Sequence, residues 1–564
     1  MAPQTPCGTT TIDIPSFGKV KGLVYPSGTR QFCGIPYATL TKRWTRSVLN
    51  TSLPNDYHDG TQHGPICPQP PEYATGDVDP MVPVPPFPHF NKAPEEDELS
   101  CLNLNIVLPP PPPTTTTLTA GPLPVMLWIH GGSFLFGSST HPCYDTVNLS
   151  TFSSAIGAPI IAISINYRVG LFGFLASHSI AADLATDGLA GAGNFGLTDQ
   201  QTALRWVQRY IPSVGGDPDN VTIFGESAGG MSVAQQVWAA EPAPFARAIS
   251  MSGTLNTIPA WPLAWHERRY RALLEHLGIG GGGEEEEALE RLRQVPQDAI
   301  AAATCAIEGG MGATANPCAD GWYHAQPPSL DNTGGVGIVS PPSWLRSYMV
   351  GDVRHEAMIF RGALDDQDYA SILGHFSSFM DEKDAVDVLQ RYGISAADIS
   401  HEELECRFEE MATEALFWLQ TYLHAHASRV ERTYAYHVDQ VSTLDNPLKG
   451  LAYHAIELLY VFRNLEEEMS EGQRELSRKM AADFVRFAYG EDPWERFNGE
   501  GKKWMVYGPD DGWAVKSESD DEDVRRYARM KEILDTGLFP KWAAALDYIV
   551  NKRWILGAVV PSKD

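Results

Sequence analysis

The sequence predicts an α/β fold: a central, mostly parallel sheet covered by helices. Three observations lead there. Short apolar runs rich in β-branched residues recur along the chain, an amphipathic helical pattern falls between two of them, and one run ends in a glycine-bracketed serine followed by helix-compatible sequence. Strand, helix, strand in that order is how a parallel sheet covered by helices is built.

Taken in chain order, residues 102–108 and 124–129 read as strands. Residues 109–113 between them are all proline and 114–117 all threonine. Five prolines cannot continue a sheet, so this is a surface loop between neighbouring strands. Residues 159–165 read as a buried parallel strand, and 199–207 as an amphipathic helix. Val221-Thr222-Ile223 then leads into Phe224-Gly225-Glu226-Ser227-Ala228-Gly229-Gly230, with helix-compatible sequence over 231–238. The turn is so tight that a side chain at either bracketing glycine would strike the neighbouring strand or helix. The serine is forced out, its hydroxyl exposed above the sheet. Gly-x-Ser-x-Gly alone is a weak pattern; between a strand and a helix it points to a nucleophile. Residues 348–353 read as a further strand. Gly280 to Gly283 followed by four glutamates reads as a surface insertion, and the acidic run 518–523 as a solvated segment. A single domain over 1–564 is expected, with surface insertions near 109–123 and 278–290.

Composition narrows the function classes. A net charge of −28 repels nucleic acid and anionic membranes, and no basic stripe overrides it, so neither is an expected partner. No apolar run reaches 18 residues, so no transmembrane segment is expected. Residues 1–8 contain neither a basic residue nor an apolar stretch. The chain as written is therefore expected in the cytoplasm, the alternative being secretion with a signal removed. Eight cysteines are too sparse for a disulfide scaffold, and no Cys-x-x-Cys pair offers a zinc site. His424 and His426, two apart on a helical segment, point apart and make no metal pair. Sequons at Asn50, Asn148 and Asn220 matter only in a secreted protein.

Several further motifs stand with the elbow: Phe32-Cys33-Gly34-Ile35-Pro36-Tyr37-Ala38, Cys101-Leu102-Asn103-Leu104-Asn105, Trp128-Ile129-His130-Gly131-Gly132-Ser133-Phe134, Asn166-Tyr167-Arg168-Val169-Gly170 and Gly193-Asn194-Phe195-Gly196-Leu197-Thr198-Asp199-Gln200. Together they resemble the type-B carboxylesterases, the α/β-hydrolase family that includes cholinesterases and large fungal lipases. The resemblance runs from Gly18 to at least Phe462. It implies the α/β-hydrolase fold with large insertions around the site, and a triad in the chain order Ser, acid, His.

On that resemblance Ser227 is the nucleophile. His454, in a loop before an apolar helix, matches the catalytic histidine, although Ala455 stands where the family usually has glycine. Glu356, where the 348–353 strand runs out, matches the acid, with Ala357 replacing the usual next glycine and Asp365-Asp366 as rivals. The expected oxyanion donors are the backbone N–H groups of Gly132, Ser133 and Ala228. Ser133 replaces the commoner third glycine and narrows the site; His130 is expected to support the loop. Cys67 and Cys101 match the family's first disulfide, closing a proline-rich flap, and Cys305 and Cys318 lie where the family often carries a second. The flap has no tryptophan, which argues against choline esters; Tyr73, Phe87 or Phe90 replace one only imperfectly.

The implied activity is serine carboxylic-ester hydrolysis of small-molecule esters through an acyl-enzyme, with no metal or organic cofactor. Two alternatives keep the fold: an acyltransferase or lactone-forming enzyme with the same triad, and a non-catalytic cholinesterase-like binding protein. Acid-side loss of activity should centre near the ordinary histidine pKa of ~6.5 unless the site shifts it.

Overall fold

Short, wholly buried strands make the middle of the molecule. In the computed structural model, which describes residues 4–71, 94–111, 121–279, 285–308, 315–324, 343–360, 362–365, 367–395, 399–499 and 501–551, thirteen strands form one sheet. They are β1 (Gly8–Ile14), β2 (Gly18–Val24), β3 (Arg30–Pro36), β4 (Tyr57–Asp59), β5 (Asn103–Leu108), β6 (Leu123–Ile129), β7 (Ile161–Ile165), β8 (Gly216–Glu226), β9 (Arg247–Met251), β10 (Ser347–Val353), β11 (Arg432–Val438), β12 (Trp504–Tyr507) and β13 (Trp513–Lys516). Their spatial order is β1-β2-β3-β5-β7-β6-β8-β9-β10-β11-β12-β13, with β4 beside β2. From β7 to β12 every neighbour is parallel; the flanks β1-β2-β3-β5-β7 and β12-β13 are antiparallel. Strands β7, β9 and β10 are buried along their whole length. Covered on both faces, such strands read as continuous apolar runs and not as alternation.

Successive side chains still point to opposite faces. β6 sends Val125, Leu127 and Ile129 into one apolar cluster and Met126 and Trp128 into another. Helices α1 (Phe195–Tyr210) and α2 (Ala228–Trp238) contribute Trp206 and Val233 to the first. Beyond α3 (His401–Thr413), a π-helical turn (Glu414–Trp418) and α4 (Leu419–Ala427) follow. Helices α5 (Glu457–Phe462) and α6 (Glu471–Ala488) supply Leu458 and Phe484 to the second cluster. The chain then reaches α7 (Glu518–Arg525).

Several expectations change. β5 and β6 are not neighbours, because β7 pairs with both and lies between them; the proline-rich connection therefore crosses a strand. Residues 112–120 of that connection and 280–284 of the other insertion lie outside the described residues, as do Tyr73, Phe87 and Phe90. The acidic run forms α7 and is only partly solvated: Asp521 is buried against Lys516 and Arg525. Asn148 is buried, its amide donating to Asn464 Oδ1 at 3.1 Å, which leaves no room for a sugar in the folded protein. Cys67 and Cys101 are buried thiols, the two side chains hydrogen-bonded to each other, and no disulfide joins them or joins Cys305 to Cys318. Among the described residues no helix is long and apolar enough to cross a membrane.

Candidate active site

β8 ends at Glu226 and α2 begins at Ala228, so a single residue, Ser227, makes the turn with φ 55° and ψ −126°. A residue with a side chain adopts that geometry only when its surroundings impose it. Ser227 N–H donates to Met251 O and Met231 N–H to Ser227 O, both at 2.9 Å. A Cβ on Gly225 would lie 2.4 Å from the carbonyl carbon of Gly229, and one on Gly229 would lie 2.1 Å from Ile129 O. The elbow closes only because both are glycine. Glu226 and Ala228 are buried while Ser227 keeps partial access to solvent.

Glu356 sits three residues past the end of β10. Its Oε1 accepts from the Val353 N–H at 2.9 Å and its Oε2 faces His454 Nδ1 at 2.5 Å. The two loops are stitched together: His355 N–H donates to Ala452 O at 2.8 Å, and Ala452 N–H donates to His355 Nδ1 at 3.0 Å. Thr413 Oγ1 accepts the Ala357 N–H at 3.0 Å, and Trp418 Nε1–H donates to Val353 O at 2.8 Å. The π-helical turn also lays the Phe417 ring edge-on to the His454 ring, centroids 5.2 Å apart. Ala455 is left-handed, φ 73°, which is the conformation that favours glycine at this position.

With Nδ1–H donated to Glu356, Nε2 is the nitrogen that holds the lone pair whenever the ring is neutral, as a base requires. Nε2 lies 3.1 Å from Glu226 Oε1, out of line for a hydrogen bond, and has no other partner among the described residues. His454 is thus brought to the residue next to Ser227, but no hydrogen bond joins it to the hydroxyl. Such bonds commonly tighten only when substrate is bound.

A third carboxylate completes the surroundings. Glu457 is the first residue of α5, fully buried, and its Oε1 accepts from Ser252 Oγ at 2.9 Å. Burial first, then the charge of Glu356, pushes the Glu457 pKa up to about 7. Burial alone would depress His454, yet Glu226, Glu356 and Glu457 outweigh it and raise the imidazole to about 9. Glu226, Glu457, Ser252 and His355 were not singled out from sequence. Glu226 is the residue of the elbow motif just before the serine, and that place in the motif is the one signal that could have found it.

Ala228 opens α2, so its N–H belongs to the first turn, where no intrahelical acceptor exists. Gly132, Ser133 and Phe134 run left-handed in succession, φ 103°, 55° and 60°. A Cβ on Gly131 would lie 3.2 Å from Ser227 Cβ, so this backbone passes directly over the nucleophile position. His130 is buried, stacked on Tyr167 at 4.3 Å, with Nδ1 2.9 Å from Gly131 O. Burial lowers its pKa to about 4, so it stays neutral and supports the loop. Of the rival acids, Asp365 is exposed on a turn and Asp366 lies outside the described residues. Asp365, His401 and Glu405 bring ligand atoms within 4.8 Å of one another at the surface. His424 is buried while His426 Nε2 meets Glu518 at 2.8 Å, so those two histidines do point apart.

Lipase 3 of Yarrowia lipolytica is 28% identical over 501 residues, covering 86% of this chain and 90% of the lipase. Para-nitrobenzyl esterase of Bacillus subtilis is 28% identical over 542 residues, covering 92% and 98%. A solved PNB esterase structure superposes with a TM-score of 0.71 at 26% identity, covering 92% of this chain and 99% of its own. The family profile described as the carboxylesterase family matches residues 8–533, and the chain belongs to that family of carboxylic-ester hydrolases.

Proposed function

We propose that Ser227, His454 and Glu356 are the triad of this serine esterase, with Gly132, Ser133 and Ala228 as oxyanion donors. The observation that supports the reading best is the 2.5 Å contact between Glu356 Oε2 and His454 Nδ1, with the opposite ring nitrogen turned toward the elbow. His454 Nε2 takes the Ser227 proton as Oγ attacks the ester carbonyl. The tetrahedral oxyanion is held by these backbone N–H groups, which the loop and the first turn of α2 fix before the reaction, so little reorganisation opposes the step. The imidazolium returns its proton to the leaving alkoxide, and the neutral ring then activates water to release the acid. Glu356 fixes the tautomer throughout, and Glu226 and Glu457 add negative charge that favours the imidazolium. Neutral small esters, including the para-nitrobenzyl type named for one relative, fit this reading.

The test uses p-nitrophenyl esters of graded chain length with a fluorophosphonate probe. The native protein should hydrolyse the esters and take up one probe per chain. Ser227→Ala should lose labelling and drop turnover by ~10⁶. Full activity in Ser227→Ala would sink the assignment, and transfer to added alcohol in preference to water would favour the acyltransferase alternative.

A further inference from the structure

Three consecutive left-handed residues, two with side chains, do not hold themselves in place. Each non-glycine residue in that region costs roughly 1–2 kcal/mol against an ordinary backbone, so Gly132-Ser133-Phe134 would relax if its ends were free. The entering end is fixed by β6 and by Tyr167, whose hydroxyl donates to His130 O at 2.9 Å. The middle is fixed by Gly170 N–H to Phe134 O at 2.7 Å and Ala315 N–H to Ser133 O at 3.1 Å. At the leaving end, Gly137 folds back under the loop: a Cβ there would lie 2.6 Å from both Gly131 O and His130 Nδ1.

Gly137 takes both its backbone hydrogen bonds from one side chain. Its N–H donates to Gln69 Oε1 at 2.9 Å, and its carbonyl accepts from Gln69 Nε2 at 3.2 Å. A primary amide in this pose replaces a neighbouring strand, supplying one donor and one acceptor to a single residue. Gln69 is only 4% exposed and its own segment is fastened. Its backbone N–H meets the Glu96 carboxylate, Ile66 pairs with the 95–97 backbone, and Cys67 Sγ accepts the Val169 N–H at 3.4 Å. The amide therefore reaches Gly137 from a fixed base.

We propose that Gln69 is a positioning residue for this esterase: its amide clamps Gly137 and so holds the Gly132 and Ser133 N–H groups aimed at the reacting carbonyl. This rests on the reading of those two groups as oxyanion donors. The Gln69 amide is engaged by Gly137 and acts through it, so its loss should weaken transition-state stabilisation and leave ground-state binding alone.

The full-length protein, Gln69→Ala and Gln69→Glu would be compared with p-nitrophenyl butyrate. Active sites would be counted by fluorophosphonate titration, and a trifluoromethyl ketone would mimic the tetrahedral species. Turnover per titrated site should fall about tenfold in Gln69→Ala, less than the ~10²–10³ for outright loss of a donor. KM should stay within twofold and the ketone's inhibition constant should rise by the same factor as turnover falls. Gln69→Glu keeps the acceptor for Gly137 N–H but sets a carboxylate against the Gly137 carbonyl, so it should fall at least as far; it decides the matter if Gln69→Ala does not fold. Turnover per site and ketone affinity both within twofold of native would overturn the proposal, as would a loss confined to the number of titratable sites. A native protein that neither labels nor turns over would instead overturn the proposed triad.

Discussion

Glu226, Glu356 and Glu457 surround one imidazole, and their combined charge decides the pH at which the proposed base is ready. A base must be neutral to accept the serine proton. The three carboxylates favour its charged form, so activity is lost as pH falls through a raised pKa, about 9 in the free protein. The acid limb of kcat/KM should therefore centre above the ordinary ~6.5. Glu226→Gln removes one of the three charges and should move that midpoint down toward 6.5. The check is a kcat/KM profile on a neutral ester; a midpoint unmoved or higher in the variant would falsify the electrostatic account. Ser227 was legible from the elbow's own strand-turn-helix pattern, whereas Glu356 at a strand end and His454 in a loop before an apolar helix were singled out by resemblance to a family. His355 and Glu457 lie close to Glu356 and His454 in sequence, yet they were not legible, because what each does depends on a partner that only the folded chain brings near. Glu457 reaches Ser252 across 205 positions of chain, and no periodicity or spacing encodes that meeting.

At the scale of elements, the elbow depends on how closely α2 lies against the strands on either side of β8. Gly229 brings the first turn of α2 onto the end of β6, where an added methyl would sit 2.1 Å from the backbone oxygen of Ile129. Backbone cannot rotate away as a side chain can, so Gly229→Ala must lift the helix. It should destabilise the protein by about 3 kcal/mol, the upper end for overpacking, with loss of esterase activity. Gly374, exposed in the helix Tyr369–Ser377, has nothing within 4 Å of its added Cβ. Gly374→Ala should stabilise by roughly 0.5–1 kcal/mol, because alanine loses less backbone entropy in a helix. Denaturant melts of both variants check the opposite signs; equal effects would mean the close approach at Gly229 is not what constrains it. The strands themselves were readable because burial on both faces makes them apolar throughout. Their order was not. β7 separates β5 from β6 through a crossover, and an apolar run carries no mark of which run it pairs with.

For the molecule as a whole, a formal net charge of −28 sets a self-repulsion that folding must overcome. Two kinds of charge respond differently to salt. Arg168 pairs with Asp199 at 2.7 Å, and Arg525 with Asp439 at 2.6 Å and Asp352 at 3.0 Å; all are buried, beyond the reach of an ion atmosphere. Exposed pairs such as Lys21–Asp59 are screened, but each contributes only ~0–1 kcal/mol. The long-range repulsion among unpaired surface carboxylates is screened as the Debye length shrinks from about 30 Å at 0.01 M to about 8 Å at 0.15 M ionic strength. Repulsion summed over the surface should outweigh the few exposed pairs, so Tm should rise between those two sodium chloride concentrations. The rise should shrink as pH is lowered toward the carboxylate range, where protonation removes the excess negative charge. A Tm that falls with salt at neutral pH would show that exposed ion pairs, and not net repulsion, dominate the surface electrostatics of this chain.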